Sequence, residues 1–331
     1  MKKLMNEPSA YVDEALDGLC AAFRGYRRQG RAGRVIARAS GAVNGRVGVV
    51  TGGGFGHLPV FAGYVGEGLL SACAVGNVFA GPPADICADA IRAADGGIGV
   101  VCVLGNYGGD RMSFGEACDT FEDEGGETST VVVADDVASA LRAEREKRRG
   151  VAGMIFPFKV AGASAARGDS MVEVAANASR AAERTRSIGV ALSPCLIPGA
   201  DMPGFTVPDG EIEIGMGIHG EPGVEQRALP SADEVATAML DRILADREAK
   251  GKGRVAILVN SLGATPLEEL LIVYRKAERI LAGAGLEIGR RYVGHYATSM
   301  EMAGCSISLM DLDPELEELL DAPTSCPFWP R

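Results

Sequence analysis

Histidine is scarce in this chain, with three among 331 residues, and so are aromatics, at 5% with a single tryptophan. The eight cysteines (Cys20, Cys73, Cys87, Cys102, Cys118, Cys195, Cys305, Cys326) include no C-x-x-C pair. That scatter argues against a structural zinc site and for buried free thiols in a reducing compartment. The longest apolar runs, such as Ile98 to Leu104, are far too short to span a bilayer. Two lysines near the N-terminus have no apolar stretch behind them, so no signal peptide is expected. The chain lacks a Walker sequence, a clean dinucleotide fingerprint and any low-complexity tract. A net charge of −11 argues against non-specific nucleic-acid binding, while leaving room for an anionic ligand held by local donors. A soluble, cytoplasmic protein with neither nucleic acid nor membrane as partner is expected.

Glycine, by contrast, is abundant, at 45 residues. Two glycine-rich segments each frame a histidine: Gly52-Gly53-Gly54-Phe55-Gly56-His57 and Gly215-Met216-Gly217-Ile218-His219-Gly220-Glu221-Pro222-Gly223. Glycine permits positive φ and close approach of a ligand to the main chain. Two such segments suggest one site assembled from distant parts of the chain, where an imidazole acts as nucleophile, base or hydrogen-bond partner.

The pattern along the chain is α/β. Val12, Leu16, Leu19 and Phe23 recur at helical spacing, with Ser9 as a candidate cap. Val35 to Ala39 and Val47 to Val50 read as strands, the second meeting a glycine turn at Thr51 and then an apolar, helix-like stretch from Pro59 to Leu70. Ile98 to Leu104 and Thr130 to Val133 read as buried strands. Asp136 is placed to cap a helix running to Arg148, and Ser170 to Ile188 forms a long helix. Ser231-Ala-Asp-Glu234 is a capping box, Val255 to Val259 a buried strand, Asn260 to Gly263 a turn, and Pro266 starts a helix to Leu281. The polar segments fall at the carboxyl ends of strands, where open parallel sheets bind ligands. The expected division is an N-terminal α/β domain, residues 1–188, with a largely parallel sheet flanked by helices and carrying His57 and Asp110. A smaller C-terminal α/β domain, 189–331, carries His219.

Each candidate has a plainer reading. His57 serves a ligand-binding loop or is merely packed in a tight turn. Asp110, after Gly108-Gly109, is a general base, a partner of Arg111 or a helix cap. His219, flanked by glycines, is hard to explain as a core residue, and Glu221 could orient its ring. His295 is expected to be structural. A metal held by the two site histidines and Asp110 is the weaker alternative, since no H-x-x-x-H spacing is present.

In order, the chain reads Thr51-Gly-Gly-Gly-Phe-Gly-His57-Leu-Pro59, Ala62-Gly-Tyr64-Val-Gly66, Gly76-Asn-Val-Phe79 and Asn106-Tyr-Gly-Gly-Asp110-Arg-Met-Ser-Phe114. It continues with Glu183 to Leu192, Gly217-Ile-His219-Gly-Glu-Pro-Gly223 and Leu258-Val-Asn260-Ser-Leu-Gly263. This series resembles the substrate-binding K subunit of the dihydroxyacetone kinase family, from Met1 to about Trp329. The resemblance implies that His219 attacks a ketone carbonyl through Nε2 to form a covalent hemiaminal, which excludes polyols. It implies that His57 hydrogen-bonds the substrate near the reacting oxygen and that Asp110 takes the proton from a terminal hydroxyl. Backbone donors of Gly53 and Gly54 are implied to hold the substrate, with Phe55, Gly56, Asn77, Gly81, Gly105, Asn106 and Tyr107 completing the substrate loops. It further implies a homodimer that binds no metal or cofactor itself. ATP or ADP with Mg would sit on a separate helical, L-type nucleotide-binding subunit.

Several positions depart from the family pattern. Asn77 stands where an acidic residue is usual, Gly81 where Ser is usual, Gly105 where Lys is usual, and Phe55 where Ser is frequent. Leu58 and His295 also differ. Loss of the Lys and Ser side chains is expected to remove two polar contacts and open space. A ketose larger than dihydroxyacetone, such as the tetrulose erythrulose, is therefore a candidate substrate. A ketone-sensing coactivator that binds without phosphorylating is the competing reading. Retention of Asp110 favours the kinase.

Overall fold

Runs of β-branched residues build two six-stranded sheets in the computed structural model, which describes residues 2–248 and 251–330. The first sheet contains β1 (Tyr26–Gln29), β2 (Val35–Arg38), β3 (Gly48–Phe55), β4 (Ala72–Val78), β5 (Val100–Gly105) and β6 (Thr128–Val133), in the order β1-β2-β4-β3-β5-β6. Strands β4, β3, β5 and β6 run parallel, and β2 pairs antiparallel with β4 and β1. Their carboxyl ends therefore share one edge, and β3 and β5 are buried at every position. Helices α1 (Tyr11–Ala22), α2 (Ala84–Ala94), α3 (Gly108–Asp123), α4 (Ile155–Arg167) and α5 (Met171–Arg184) accompany this sheet.

The second sheet contains β7 (Thr185–Ala191), β8 (Glu211–Ile214), β9 (Glu225–Ala228), β10 (Gly253–Ser261), β11 (Leu286–Gly294) and β12 (Gly304–Leu312), in the order β11-β10-β12-β7-β8-β9. Only β10 and β11 pair in parallel. Helices α6 (Ala232–Asp246), α7 (Leu267–Gly283) and α8 (Pro314–Asp321) complete it. Helix α4 is buried from Ile155 to Ala165. One apolar cluster joins it to Val49, Val101 and Val103 of the first sheet and to Leu258, Tyr292 and Met310 of the second. A helix buried on all faces in this way sits between layers.

Capping boxes at Ser170–Glu173 and Ser231–Glu234 start α5 and α6, and Pro266 precedes α7, as the sequence signals. Five expectations are corrected. Strand β3 does not turn at Thr51 but continues through Phe55, because its glycines serve close packing. A Cβ at Gly52 would lie 2.7 Å from the Phe114 ring, and one at Gly53 would lie 2.5 Å from the Phe61 ring. The stretch 59–70 is a buried irregular loop with one short 3-10 turn, Ala62–Tyr64. Gly63 packs against Pro59, Gly66 against Cys326, and the Tyr64 hydroxyl donates to the Tyr296 carbonyl. No α-helix runs from Asp136 to Arg148. Asp136 instead accepts from the Ala138 N–H and pairs with Arg149, while Arg148 reaches Asp246, leaving only a 3-10 turn, Arg142–Lys147. Helix α5 ends at Arg184, because Thr185 onward pairs with β12. Ala10, not Ser9, precedes α1, behind a 3-10 turn begun by Pro8.

Candidate active site

Gly56, at φ +103°, makes the turn that ends β3 and delivers His57. The segment Tyr296–Met300 then clasps this turn from the other sheet. Met300 N–H donates to the Gly56 carbonyl at 2.8 Å, and Thr298 Oγ1 donates to the Leu58 carbonyl at 2.9 Å. Asn260 holds that segment in place. Its Nδ2 donates to the Ala297 carbonyl and to Ser306 Oγ, and its Oδ1 accepts from the N–H groups of Tyr296 and Ala297. An amide using all its capacity in a buried setting is a rigid support.

His57 is buried, with Nδ1 2.7 Å from the Thr298 carbonyl. A carbonyl only accepts, so Nδ1 carries the hydrogen and Nε2 presents a lone pair. That Nε2 is shielded from solvent and has no partner. Burial, aided by the neighbouring His219, pushes the His57 imidazolium down to about 3, against the opposing Thr298 hydrogen bond. The ring is therefore neutral near pH 7.

His219 lies on the loop between β8 and β9. Its ring meets His57 edge-on at 4.8 Å, Tyr107 at 5.0 Å and Phe79 at 5.6 Å. Phe79 also stacks on His57 at 4.8 Å. Glu221 Oε1 lies 2.9 Å from His219 Nδ1, and Oε2 accepts from the His219 backbone N–H. Burial would raise the Glu221 carboxyl, but hydrogen bonds and charge from His219 outweigh it and pull it to about 2. The carboxylate only accepts, so the Nδ1 hydrogen points at it, and in the neutral form of the ring the lone pair is on Nε2. Gly217 leaves room here, since a Cβ would meet the Glu221 carboxylate and lie 2.7 Å from Arg149 Nη1.

Asp110 sits in the first turn of α3. Its Oδ1 is shielded and unpaired, and burial raises the carboxyl to about 6, with His219 opposing. The Tyr107 hydroxyl is likewise shielded and unpaired. Three unpartnered polar atoms thus belong to the site: His57 Nε2, Asp110 Oδ1 and Tyr107 Oη. Unpaired buried polar groups are costly without a ligand, and they mark where one binds.

The other sequence-derived candidates divide. A Cβ at Gly54 would lie 2.7 Å from the Ala80 nitrogen and 2.8 Å from Phe79 Cα, so this glycine lets the Phe79 backbone approach. The register of β3 on β4 also shifts between Gly53 and Phe55. Phe55 packs its ring edge-on against Tyr11, in the core. Asn106 spends its amide on the carbonyls of Glu146 and Arg148. Asn77 is exposed and accepts from Arg34 at 3.2 Å. The missing side chains at 81 and 105 do not leave the expected open space. The Asp110 carboxylate occupies the first position, and Met154 Sδ, 2.9 Å from a Cβ at Gly105, occupies the second. His295 is exposed, with Nε2 3.1 Å from the Gly263 carbonyl. Sequence reasoning missed Phe79, Thr298 and Asn260 as parts of the site. Phe79 and Asn260 stand in quoted motifs, but nothing in their spacing reveals the contacts. Among the described residues, no group of three or more His, Cys, Asp or Glu side chains is placed to hold a metal ion.

The α/β scaffold thus brings together two imidazoles held through Nδ1, a raised carboxyl and an aromatic surround. The Dak1 domain matches residues 17–328, and the chain belongs to that family. It is 42% identical, over its whole length, to D-erythrulose kinase of Mycolicibacterium smegmatis, of which it spans 57%. Dihydroxyacetone kinase from C. freundii, solved with AMP-PNP and Mg2+, superposes with a TM-score of 0.92 at 31% identity, covering 99% of this chain and 61% of that one. The dihydroxyacetone kinase operon co-activator Dha-DhaQ gives 0.88 at 30% identity, covering 96% and 97%.

Proposed function

We propose that this chain captures a short-chain ketose, dihydroxyacetone or a tetrulose such as erythrulose, and presents its terminal hydroxyl for phosphorylation. The observation that carries this is that each imidazole is held by an acceptor at Nδ1. Glu221 and the Thr298 carbonyl each accept from an Nδ1–H, so in the neutral rings each lone pair is on Nε2. In capture, His219 Nε2 forms a bond to the carbonyl carbon as the C=O π bond breaks toward oxygen. That oxygen gains one proton and Nδ1 yields one, with Glu221 stabilising the cationic imidazole in between. His57 Nε2 accepts a hydrogen bond from the new hydroxyl. Asp110 removes the proton from the terminal hydroxyl as its oxygen attacks phosphorus and the donor leaves. A polyol has no carbonyl to capture.

The donor, ATP with Mg, would belong to a helical nucleotide-binding partner, and the K chain would act as a homodimer in the cytoplasm. Residues 1–188 supply His57 and Asp110 to this chemistry, and 189–331 supply His219. Similarity to the co-activator favours a second reading, binding without transfer. Asp110 favours the kinase, since a sensor needs no base. The test is phosphorylation of a panel of trioses and tetruloses by this chain combined with a helical nucleotide-binding subunit. Turnover of a ketose but not of glycerol supports the proposal. Binding without turnover by any such partner moves the chain to the sensor reading.

A further inference from the structure

Gly81 follows β4 in the loop that faces α3, and its φ lies outside the left-handed region, so the backbone there does not call for glycine. What a side chain there would meet is Asp110. A Cβ at position 81 would fall inside contact distance of Asp110 Oδ1 and 3.3 Å from its Cγ, and the next nearest atom is the Asp110 nitrogen at 3.7 Å. The carboxylate alone fills the space that a side chain would take. That same Oδ1 is shielded and has no hydrogen-bond partner.

The remaining surroundings supply little to hold it. His219 and the Cys87 thiol of α2 are its electrostatic neighbours, and that thiol donates to the Pro82 carbonyl at 3.7 Å. Burial, with a smaller push from Asp110, raises that thiol, so it stays neutral. Arg111, next in the chain, turns away and donates to Asn106 Oδ1 at 3.2 Å.

We propose that Gly81 is a positioning residue for Asp110: having no side chain, it seats the carboxylate against the loop after β4 without giving it a hydrogen bond, which keeps it a strong proton acceptor. This rests on Asp110 acting as the base in the reading above. A serine at 81 would put a hydroxyl against the carboxylate, stabilise its charged form and weaken it as a base. An alanine would take the space and donate nothing. Either substitution meets only the end of a flexible side chain, so folding should survive.

The experiment is a carboxyl-13C aspartate titration of the chain alone, with Asp110→Asn for assignment, in the wild type, Gly81→Ser and Gly81→Ala. Wild-type Asp110 should titrate near pH 6. Gly81→Ser should move it down by about one pH unit, and Gly81→Ala should not move it down. Wild-type titration near the ordinary 3.9, which needs no variant to fold, would overturn the proposal. So would a Gly81→Ser titration equal to wild type. Transfer assays with a nucleotide-binding partner then separate the two readings. If the titration moves but no ketose is phosphorylated at any pH, the kinase reading fails and the role of Gly81 in setting Asp110 stands. If transfer occurs with the same acid limb in Gly81→Ser as in wild type, the Gly81 proposal fails alone.

Discussion

Replacing Glu221 with glutamine tests whether His219 is a nucleophile set up by its neighbour. The carboxylate accepts from both Nδ1 and the backbone N–H of His219. Hydrogen bonds to a charged group are worth about 1.5–3 kcal/mol each. Losing one such contribution should weaken ketose capture roughly 10- to 150-fold, at about 1.4 kcal/mol per tenfold. Glutamine keeps the size of the side chain but not the stabilised charge, so the variant should still fold, with a lower melting temperature. The wild-type carboxyl lies at about 2, below the ordinary 4.5. A depressed carboxyl contributes stability above its unfolded value and loses it as pH falls toward the folded value. The stability lost in the variant should therefore be constant above about pH 5 and shrink as pH falls toward 2. The assay is the binding constant of a ketose by 13C NMR, beside a thermal melt. Capture by Glu221→Gln equal to wild type, in a variant that remains folded, would refute the reasoning.

Asp110→Asn should abolish phosphoryl transfer while leaving ketose capture intact, and wild-type transfer should fall as pH drops below about 6, where the carboxyl takes up its proton; parallel binding and rate measurements check both. Gly54→Ala would push a methyl into the Phe79–Ala80 backbone and should cost about 1–3 kcal/mol in urea denaturation, with loss of the His57–Phe79 stack. Lys159 is wholly buried, donates to the Leu319 carbonyl at 2.7 Å, and is pushed by burial from 10.5 to about 8. The fold thus binds that proton more weakly than the unfolded chain, and stability should climb between pH 8 and 10.5. The burial penalty is about 3 kcal/mol at 1.36 kcal/mol per unit, and the lost hydrogen bond about 1. Lys159→Met should therefore be neutral or stabilising at pH 7 in urea denaturation, and the pH-dependent climb should disappear.

Element types were readable where period and caps agreed, as in the capping boxes at Ser170 and Ser231 and the all-apolar strand through Leu104. Glycine misled. Gly52 to Gly54 read as a turn, yet they lie within a strand that other chain segments approach closely, and such neighbours leave no trace in local sequence. The apolar stretch 59–70 looked helical because all of it but Glu67 is buried, which composition cannot distinguish from a helix face. Asp136 looked like a cap because its true partner, Arg149, is a tertiary contact. Within the site, His57, Asp110 and His219 stood out by residue type and glycine framing. Thr298 contributes through a carbonyl, and Asn260 acts one layer behind the imidazoles. Neither role has a sequence signature. The space expected at 81 and 105 failed because Asp110 and Met154, remote in sequence from one or both positions, move into it.

The central claim is that His219 Nε2 bonds covalently to a ketose. Nitrogen-15-labelled protein mixed with dihydroxyacetone or erythrulose carrying 13C at the carbonyl tests it directly. The account predicts that the bound carbonyl carbon becomes tetrahedral and couples to one imidazole nitrogen, and that this signal is lost in His219→Ala. A bound ketose that keeps its carbonyl carbon trigonal, or a tetrahedral carbon with no nitrogen coupling, would contradict it.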